Sequence, residues 1–335
     1  MRTLLALILA AVLVLGGGAG AAWWWLDQPL GLRAGVPASP EPEFTIERGS
    51  SARQVASQVV RAGADVPDLW LHLWFRASGQ ARSIQAGTYA LSAGLTPRTL
   101  LQRLVRGEQV LRSVTLVEGW TFAAALQALG AMEDLRQDLQ GLRPDQIMER
   151  LGRAGTHPEG RFYPDTYRVP RHTPVSAVLL QAAQAMDQQL AQAWAQKHPD
   201  SPLRTPEEAL ILASIIEKET GSPNDRPLIG GVFSNRLRIG MRLQTDPTVI
   251  YGLGARFDGN LRKVHLQTDG PYNTYTRAGL PPTPIAMPGQ ASLMAAVRPA
   301  ATRALYFVAR GDGSSQFSET LDQHNAAVRR YILNR

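Results

Sequence analysis

An uncharged N-terminal stretch is the feature that most restricts how this chain can fold. No charged residue occurs from Leu4 to Leu26, a run of about 23 residues. As an α-helix it would extend roughly 34 Å at ~1.5 Å per residue, which is enough to cross a bilayer. Arg2 precedes the run, and three tryptophans, which favour the membrane interface, close it at Trp23–Trp25. We therefore predict a membrane anchor over residues 1–26, with the C-terminal bulk outside the cytoplasm.

A cleaved signal peptide is the alternative for the same residues. Leu4–Leu15 has the length of a signal-peptide apolar core, and Ala19–Ala21 resembles an A-x-A cleavage site. Gly16–Gly18 weaken a helix and favour this alternative. We prefer the retained anchor, and both alternatives export the chain. The Pro-rich region 27–43 is expected to be a linker between the membrane and the folded part.

Composition excludes some classes of protein and favours others. Hydrophobic residues make up 44% and charged residues 19%, which predicts a folded chain. The net charge of +7 suits an anionic membrane or an acidic polymer. The basic residues form no block and no pattern with aromatics, so no nucleic-acid partner is expected. Without cysteine there is no disulfide, thiolate metal site or cysteine nucleophile, and the histidines lack metal-ligand spacing.

One pattern occurs three times between residues 44 and 130. A short alternating strand is followed by a glycine and, two residues later, by a serine or threonine suited to cap a helix. An apolar stripe at helical spacing then begins. The strands start at Phe44, Tyr89 and Val114, the glycines are Gly49, Gly94 and Gly119, and the caps are Ser51, Thr96 and Thr121.

This strand–glycine–cap–helix pattern is similar to LysM modules, which bind the N-acetyl groups of glycans. Small α/β units of other function use the same arrangement, so both interpretations stay open. Trp70, Leu73 and Trp74 lie on one face of a predicted helix. We interpret that face as core, with a sugar-stacking surface as the alternative.

A helix ending in two glutamates contains the strongest candidate for catalysis. Thr205 caps it, Pro206 occupies its first turn and Glu208 is expected to complete a capping box. At ~100° per residue, Glu219 shares the apolar face of the helix, while Glu217 lies on another side. A carboxyl group at the end of an apolar face is poorly solvated, which raises its pKa and suits it to act as a general acid.

The sequence that follows is rich in amides, hydroxyls and aromatics within turns, which is typical of a sugar-binding groove. We predict substrate-binding residues here, with Glu217 as a further candidate from the helix itself. The candidates are Glu217, Asn235, Arg236, Arg242, Gln244, Thr245, Asp246, Tyr272, Asn273, Thr274 and Tyr275.

Five separated motifs resemble the endolytic murein transglycosylase (YceG-like) family, and the resemblance extends over essentially the whole chain. They are Ser214–Thr220, Asn235–Leu237, Leu243–Thr248, Tyr272–Tyr275 and Leu280–Pro282. The resemblance implies lytic cleavage of the MurNAc–GlcNAc bond, giving a 1,6-anhydro end without consuming water. It assigns the catalytic acid/base to Glu219, the second glutamate of the Glu-Lys-Glu sequence. Peptidoglycan strands are the implied substrate, peptidoglycan synthases are implied partners, and no cofactor is implied.

Several roles stay open at this point. Glu217 either supports Glu219 or is a structural charge, and the structural role is preferred. Asp246 either lines the groove or caps the turn at Pro247. Arg236 and Arg242 either meet peptide-stem carboxylates or are ordinary surface arginines.

The sequence as a whole predicts an α+β protein. We expect the anchor (1–26), the linker (27–43), a small LysM-like subdomain (44–130) and a larger catalytic domain with a mixed sheet (131–335). Two rivals to a lytic transglycosylase remain. One is a membrane-tethered peptidoglycan-binding module without activity. The other is a hydrolase that uses Asp246 or Asp165 as a second carboxylate.

Overall fold

The structure, a computed structural model, describes residues 16–18, 20–37 and 41–333. Among those residues, no helix is long and apolar enough to cross a membrane. The predicted anchor includes residues 1–15 and 19, which lie outside the described part of the chain. Its described end is helical at residues 20–25. The membrane span therefore stays a prediction.

The chain forms two compact units. The N-terminal unit comprises Met1–Arg112 with Arg168–Arg171, and the C-terminal unit comprises Ser113–Tyr167 with His172–Arg335. The subdomain boundary expected at residue 130 falls inside the C-terminal unit.

In the N-terminal unit, three helices between residues 52 and 106 accompany a two-stranded antiparallel sheet. Strand β1 (Glu43–Ile46) pairs with β2 (Gly87–Ala90), and Glu43 lies opposite Ala90. The helices are α1 (Ala52–Arg61), α2 (Asp68–Ala77) and α3 (Pro97–Arg106), with a 3-10 turn at Ala81–Ser83. Their apolar sides form one core, whose fully buried members include Val59, Phe75, Tyr89 and Leu104.

The predicted turns and caps of the repeated pattern are confirmed. The capping residues at the starts of α1, α3 and α4 (Phe122–Gly130) are Ser51, Thr96 and Thr121. The hydroxyl of each accepts a hydrogen bond from the backbone N–H three residues later. The preceding glycines are Gly49, Gly94 and Gly119, with φ of 84°, 79° and 75°. Residues with a side chain disfavour this conformation. Local sequence therefore sets where these helices begin.

Part of the predicted linker packs onto the N-terminal unit. Leu30 is buried in the core of that unit, and its N–H donates to the Leu95 carbonyl over 2.8 Å. Leu32 forms an isolated bridge with Ala64. An extended spacer would leave these residues in water.

The interpretation of Trp70 and Leu73 as core is wrong. Their side chains are 51% and 55% exposed, and α2 instead buries Leu71 and Phe75. Trp74 is partly buried, and its indole N–H donates to the Pro97 carbonyl over 3.1 Å. Because α2 is apolar at most positions from Leu69 to Phe75, spacing alone cannot select the buried side.

The C-terminal unit is mainly helical. After α4 come α5 (Pro144–Arg150), α6 (Val175–Ala195), α7 (Pro206–Glu219), α8 (Arg226–Arg238), α9 (Asp246–Leu253), α10 (Lys263–Gln267), α11 (Gln290–Val297) and α12 (Leu321–Val328). A 3-10 turn at Gly254–Arg256 follows α9, and a π-helical turn at Arg329–Leu333 follows α12.

The sheets are small. Strand β3 (Leu111–Thr115) pairs with β4 (Thr166–Pro170), and β5 (Tyr306–Ala309) pairs antiparallel with β6 (Ser315–Ser318). The α+β class is confirmed, but each sheet in the described part of the chain has two strands, so the larger mixed sheet that we expected is not found. The core of the unit is built by helices instead.

Helix α7 lies at the centre of this core. All eight residues from Ala209 to Ile216 are buried, and α7 packs against α6, α8, α9 and α11. The helix is therefore apolar on every side, rather than amphipathic as the sequence indicated. Its C-terminal residue, Glu219, is held in place by the packing of the whole helix.

Two adjacent glycines allow α8 to approach its neighbours closely. A side chain at Gly230 would overlap the Ala295 carbonyl of α11, and one at Gly231 would overlap Thr302. This close packing of α8 supports one side of the core around α7.

Candidate active site

Glu219 is the last residue of α7. The Thr205 hydroxyl caps the start of the helix, as predicted, by accepting the Glu208 N–H over 3.2 Å. The expected capping box is not formed, because the Glu208 carboxylate accepts the N–H of Arg204 instead of that of Thr205. Glu219 lies at the other end of the helix, where the helix dipole disfavours a negative charge. That position is therefore unfavourable for an ionised carboxylate.

The Glu219 carboxyl is partly buried and accepts a hydrogen bond from the Thr245 hydroxyl. Burial raises the pKa of Glu219 to about 6, the Thr245 hydrogen bond opposes this rise, and the negative charge of Asp246 adds to it. A carboxyl with such a pKa holds its proton in a sizeable fraction of molecules near neutral pH. It can therefore act as an acid and then, once ionised, as a base.

Three threonines fix the backbone beside Glu219. Thr245 N–H donates to the Thr274 hydroxyl over 3.1 Å, and the Thr248 hydroxyl donates to the Thr245 carbonyl over 2.8 Å. The hydroxyls of Thr248 and Thr274 lie 2.9 Å apart. All three residues are buried, so the Thr245 hydroxyl has little freedom to leave Glu219.

Gln244 precedes this cluster in an unusual conformation. Its φ is 48°, in the left-handed region that residues other than glycine rarely adopt. Its N–H donates to the Thr274 carbonyl over 3.2 Å, and its side chain is exposed. Backbone strain of this kind is common at functional sites, and the exposed amide is free to meet a ligand.

Asp246 and Tyr275 form a pair next to the threonines. The Tyr275 hydroxyl donates to Asp246 over 2.6 Å, and burial, together with the negative charge of Asp246, raises the pKa of Tyr275. Asp246 opens α9, where the helix dipole favours its charge. The alternative role of Asp246 as a side-chain cap is not seen, since its carboxylate meets Tyr275. Arg242 reaches the same loop by donating to the Tyr275 carbonyl over 3.0 Å.

Arg236 is a buried support rather than a surface arginine. Its guanidinium donates to the carbonyls of Leu305 and Leu243, and it lies 5.4 Å from the centre of the Tyr306 ring. Burial lowers the pKa of Arg236, and its positive charge opposes the rise in the pKa of Glu219. It thereby holds the chain two residues before Thr245.

Two predicted groove amides are also structural. The Asn235 side chain donates to the carbonyls of Thr302 and Ala304, at 2.8 and 3.0 Å. Asn273 is buried, and its side chain accepts the Tyr275 N–H. It also donates to three carbonyls at the C-terminal end of α10, those of His265, Leu266 and Thr268. Both side chains hold backbone segments of the unit together.

Tyr272 stands in an aromatic pair with Tyr251. Their ring centres lie 4.9 Å apart at 64°, and the Tyr272 hydroxyl lies 2.8 Å from that of Thr283. Tyr272 also lines a cavity of about 540 Å³ together with Asn273, His265 and Arg256. Glu219 does not line this cavity, so the cavity and the acid mark separate parts of the unit.

Glu217 is tied to its neighbours. It accepts the N–H of Gly289, at the start of α11, over 3.0 Å, and it lies 3.6 Å from Arg226. Its side chain is only 7% exposed, as is typical of a carboxylate in a buried structural ion pair. This geometry matches the structural role that was preferred from the sequence.

Thr248 beside Glu219 and the buried pair of Glu159 and Tyr251 were not among the sequence candidates. Thr248 could have been found, since it lies one helical turn after Thr245 in the same motif. Glu159 gave no signal, because it comes from a turn-rich segment far away in sequence. It is buried and accepts the Phe122 N–H and the Tyr251 hydroxyl, at 2.9 and 3.1 Å, and burial raises its pKa.

Comparisons with known proteins show which proteins this chain resembles. The model of the YceG-like family matches residues 44–330. The endolytic murein transglycosylase of Bacillus subtilis is 31% identical over 311 residues, which cover 87% of this chain and 85% of that protein. The endolytic murein transglycosylase of Streptococcus pneumoniae strain D39 is 25% identical over 86% of this chain, which spans only 58% of that protein.

A solved structure is also similar. The 2.6 Å crystal structure of a yceG-like protein from Listeria monocytogenes superposes with a TM-score of 0.54 at 27% identity. The match covers 85% of this chain and 98% of that one.

Proposed function

The chain belongs to the YceG-like family, and we propose that it is an endolytic peptidoglycan lytic transglycosylase with Glu219 as its catalytic acid/base. The names of the Bacillus and Streptococcus relatives support the reaction. The observation that supports the residue is the carboxyl of Glu219 itself. Its pKa is raised to about 6, and it sits in a rigid setting beside Thr245 and Asp246.

The reaction needs one carboxyl group in two states. Protonated Glu219 donates its proton to the oxygen between MurNAc C1 and GlcNAc, and the C1–O bond breaks. The carboxylate then removes the proton of the MurNAc 6-hydroxyl while that oxygen bonds to C1. The products are a 1,6-anhydro-MurNAc end and a GlcNAc end with a free hydroxyl. Glu219 regains its proton and no water is consumed, so a second catalytic carboxyl is unnecessary.

The neighbours of Glu219 adjust its acidity and hold its orientation. Thr245 donates a hydrogen bond that stabilises the carboxylate, whereas the charge of Asp246 favours the protonated form. These opposing effects suit a group that must both give and accept a proton. We propose that Asp246, Tyr275 and the exposed Gln244 also contact the sugar, because they border Thr245.

We propose that this activity lies on the outer face of a cytoplasmic membrane. The uncharged stretch Leu4–Leu26 after Arg2 supports a retained single-pass anchor. The positive net charge suits an anionic membrane surface. The cut would then fall within nascent glycan strands and terminate their elongation, alongside the synthases that extend them. The LysM-like arrangement of the N-terminal unit would help to hold the glycan.

The experiment compares two neighbouring glutamates in the full chain. Purified protein in detergent is incubated with peptidoglycan sacculi, and the fragments are read by mass spectrometry. Glu219→Gln should lower the yield of anhydro-ended fragments by roughly 10²- to 10⁴-fold, the contribution typical of general acid–base catalysis. Glu217→Gln should keep the product pattern, since an amide oxygen can still accept the Gly289 N–H.

Each other outcome selects a different function. Reducing ends in place of anhydro ends would indicate a hydrolase, with Asp246, whose charge acts on Glu219, as the second carboxylate. Binding to sacculi without cutting by the wild type would indicate a binding module. Equal losses in both variants would show that Glu219 has no special role.

A further inference from the structure

The proposed reaction leaves an exposed apolar surface in the N-terminal unit unexplained. We define the tryptophan face as the side chains of Trp23, Leu69, Trp70 and Leu73, which are 65%, 58%, 51% and 55% exposed. Large apolar side chains that cluster in water mark an interaction site. The catalytic residues all belong to the C-terminal unit, so this surface has no part in the chemistry.

The tryptophan face is continuous rather than scattered. Leu69, Trp70 and Leu73 fall on one stripe of α2, because residues three and four apart share a helix side. The rings of Trp25 and Trp70 meet edge to face with centres 5.4 Å apart, which joins α2 to the end of the uncharged N-terminal stretch. Together these segments line an apolar groove of about 610 Å³.

The lining of this groove argues against a sugar as the occupant. Its residues are glycines, alanines, leucines and tryptophans, and none of them carries a hydroxyl or a charged side chain. The indole N–H of Trp74 is already donated to the Pro97 carbonyl. A sugar needs partners for its hydroxyls, because polar groups that lose water without new hydrogen bonds are costly to bury.

The position of the tryptophan face along the chain argues for lipid. The uncharged stretch Leu4–Leu26 ends at this face, and its last residue, Leu26, is buried in the unit. A membrane that received this stretch would therefore lie next to α2. Tryptophan and leucine are the side chains that settle at the boundary of headgroups and acyl chains.

Basic side chains border the same surface. Arg76 is exposed in the last turn of α2, and Arg98, which pairs with Asp27, lies over the Trp23 ring, 4.7 Å from its centre. Arginine at the rim of an apolar surface can reach anionic headgroups while its stem covers apolar area. The combination of apolar centre and basic rim fits a lipid surface.

We propose that the tryptophan face docks the N-terminal unit on a lipid bilayer, with α2 lying in the headgroup region. This rests on the membrane location proposed above but not on the proposed reaction. The unit then lies against the membrane instead of moving freely on a linker. Docking of this kind would fix the height above the bilayer at which a glycan strand meets the unit.

The experiment uses the lack of cysteine in the full chain. Leu73→Cys carries one environment-sensitive nitrobenzoxadiazole probe, and the protein is reconstituted into vesicles of phosphatidylethanolamine and phosphatidylglycerol. The matched control is Arg53→Cys, an exposed position on α1 of the same unit. The Leu73 probe should show a blue-shifted emission and quenching by lipids with a nitroxide near the headgroup. The Arg53 probe should show neither effect.

Other outcomes overturn the proposal. A Leu73 probe that matches the Arg53 probe in vesicles but shifts when glycan fragments are added would identify a sugar surface. A blue shift without quenching by the lipid nitroxide would mean that protein covers the face, from residues 1–15 or a second copy. Equal thermal unfolding of the labelled and unlabelled chains verifies folding. Release of anhydro ends by the same samples reports on the reaction separately.

Discussion

Helix starts in the N-terminal unit and the candidate site in the C-terminal unit depend on contacts of different reach along the chain. In the N-terminal unit, helices α1 and α3 begin where a hydroxyl caps a backbone N–H three residues away. In the C-terminal unit, Glu219 meets a hydroxyl 26 residues away, and Glu217 meets an N–H 72 residues away. The difference teaches that a local pattern can specify a helix start, whereas a catalytic setting is assembled by packing.

The largest expected contrast lies between two arginines. Arg236→Met in the C-terminal unit leaves the buried Leu243 carbonyl and the partly buried Leu305 carbonyl without their donor, and should lower the free energy of unfolding by about 3 kcal/mol. Arg98→Met in the N-terminal unit removes a solvent-exposed pair with Asp27 and should cost much less, because water screens such a pair. Urea unfolding of both variants measures this. Similar losses of stability in the two variants would contradict this difference between the units.

The pH dependence of stability should also separate the units. The folded pKa of Glu219 is raised from 4.5 to about 6, so its contribution is fully present below about pH 4.5 and is lost as pH rises through about 6. Above that range Glu219→Gln should be more stable than the wild type by up to about 2 kcal/mol.

Asp27 of the N-terminal unit should behave in the opposite sense. The hydrogen bond from Arg98 lowers its pKa, so its contribution is present at neutral pH and is lost on acidification. Unfolding curves of Glu219→Gln and Asp27→Asn, measured against pH, test both signs. A Glu219→Gln difference that stays constant with pH would contradict the raised pKa.

A smaller effect is expected from a local cap. Thr96→Ala removes the hydroxyl that accepts the Thr99 N–H at the start of α3, and should lower stability by about 1 kcal/mol. Activity per folded molecule should not change. Thermal unfolding combined with the sacculus assay checks this, and Thr96→Ser serves as the control because it keeps the hydroxyl.

The smallest change is expected from Thr245→Val, which removes the hydrogen bond that lowers the pKa of Glu219. The pKa should rise, and the fall in activity at alkaline pH should move to higher pH. A pH profile of the release of anhydro ends measures the shift. Thr245→Ser should restore the wild-type profile, whereas an unchanged profile in Thr245→Val would show that the contact does not tune Glu219.

Much of the candidate site could be chosen from the sequence, but the grounds were partly mistaken. Glu219 was preferred because it shared an apolar face, yet α7 is buried on every side and that face does not exist as such. The two glutamates differ through their partners, since Glu217 binds Gly289 and Arg226. Asn235 and Asn273, chosen as groove amides, bind backbone carbonyls instead. The motifs that contain these residues show that they matter. The sequence does not tell whether such a residue supports the fold or contacts the substrate.

By itself, the sequence determined the uncharged N-terminal stretch, the caps and glycine turns, the extent of α7, and the motifs that carry the family. These depend on neighbouring residues, whose geometry the backbone fixes over one or two turns. Only the tertiary structure decided which side of α2 is buried, that Leu30 packs into a core, and that Glu159 joins Tyr251. It also decided the acidity of Glu219, because a pKa depends on the burial and charge that distant segments bring together.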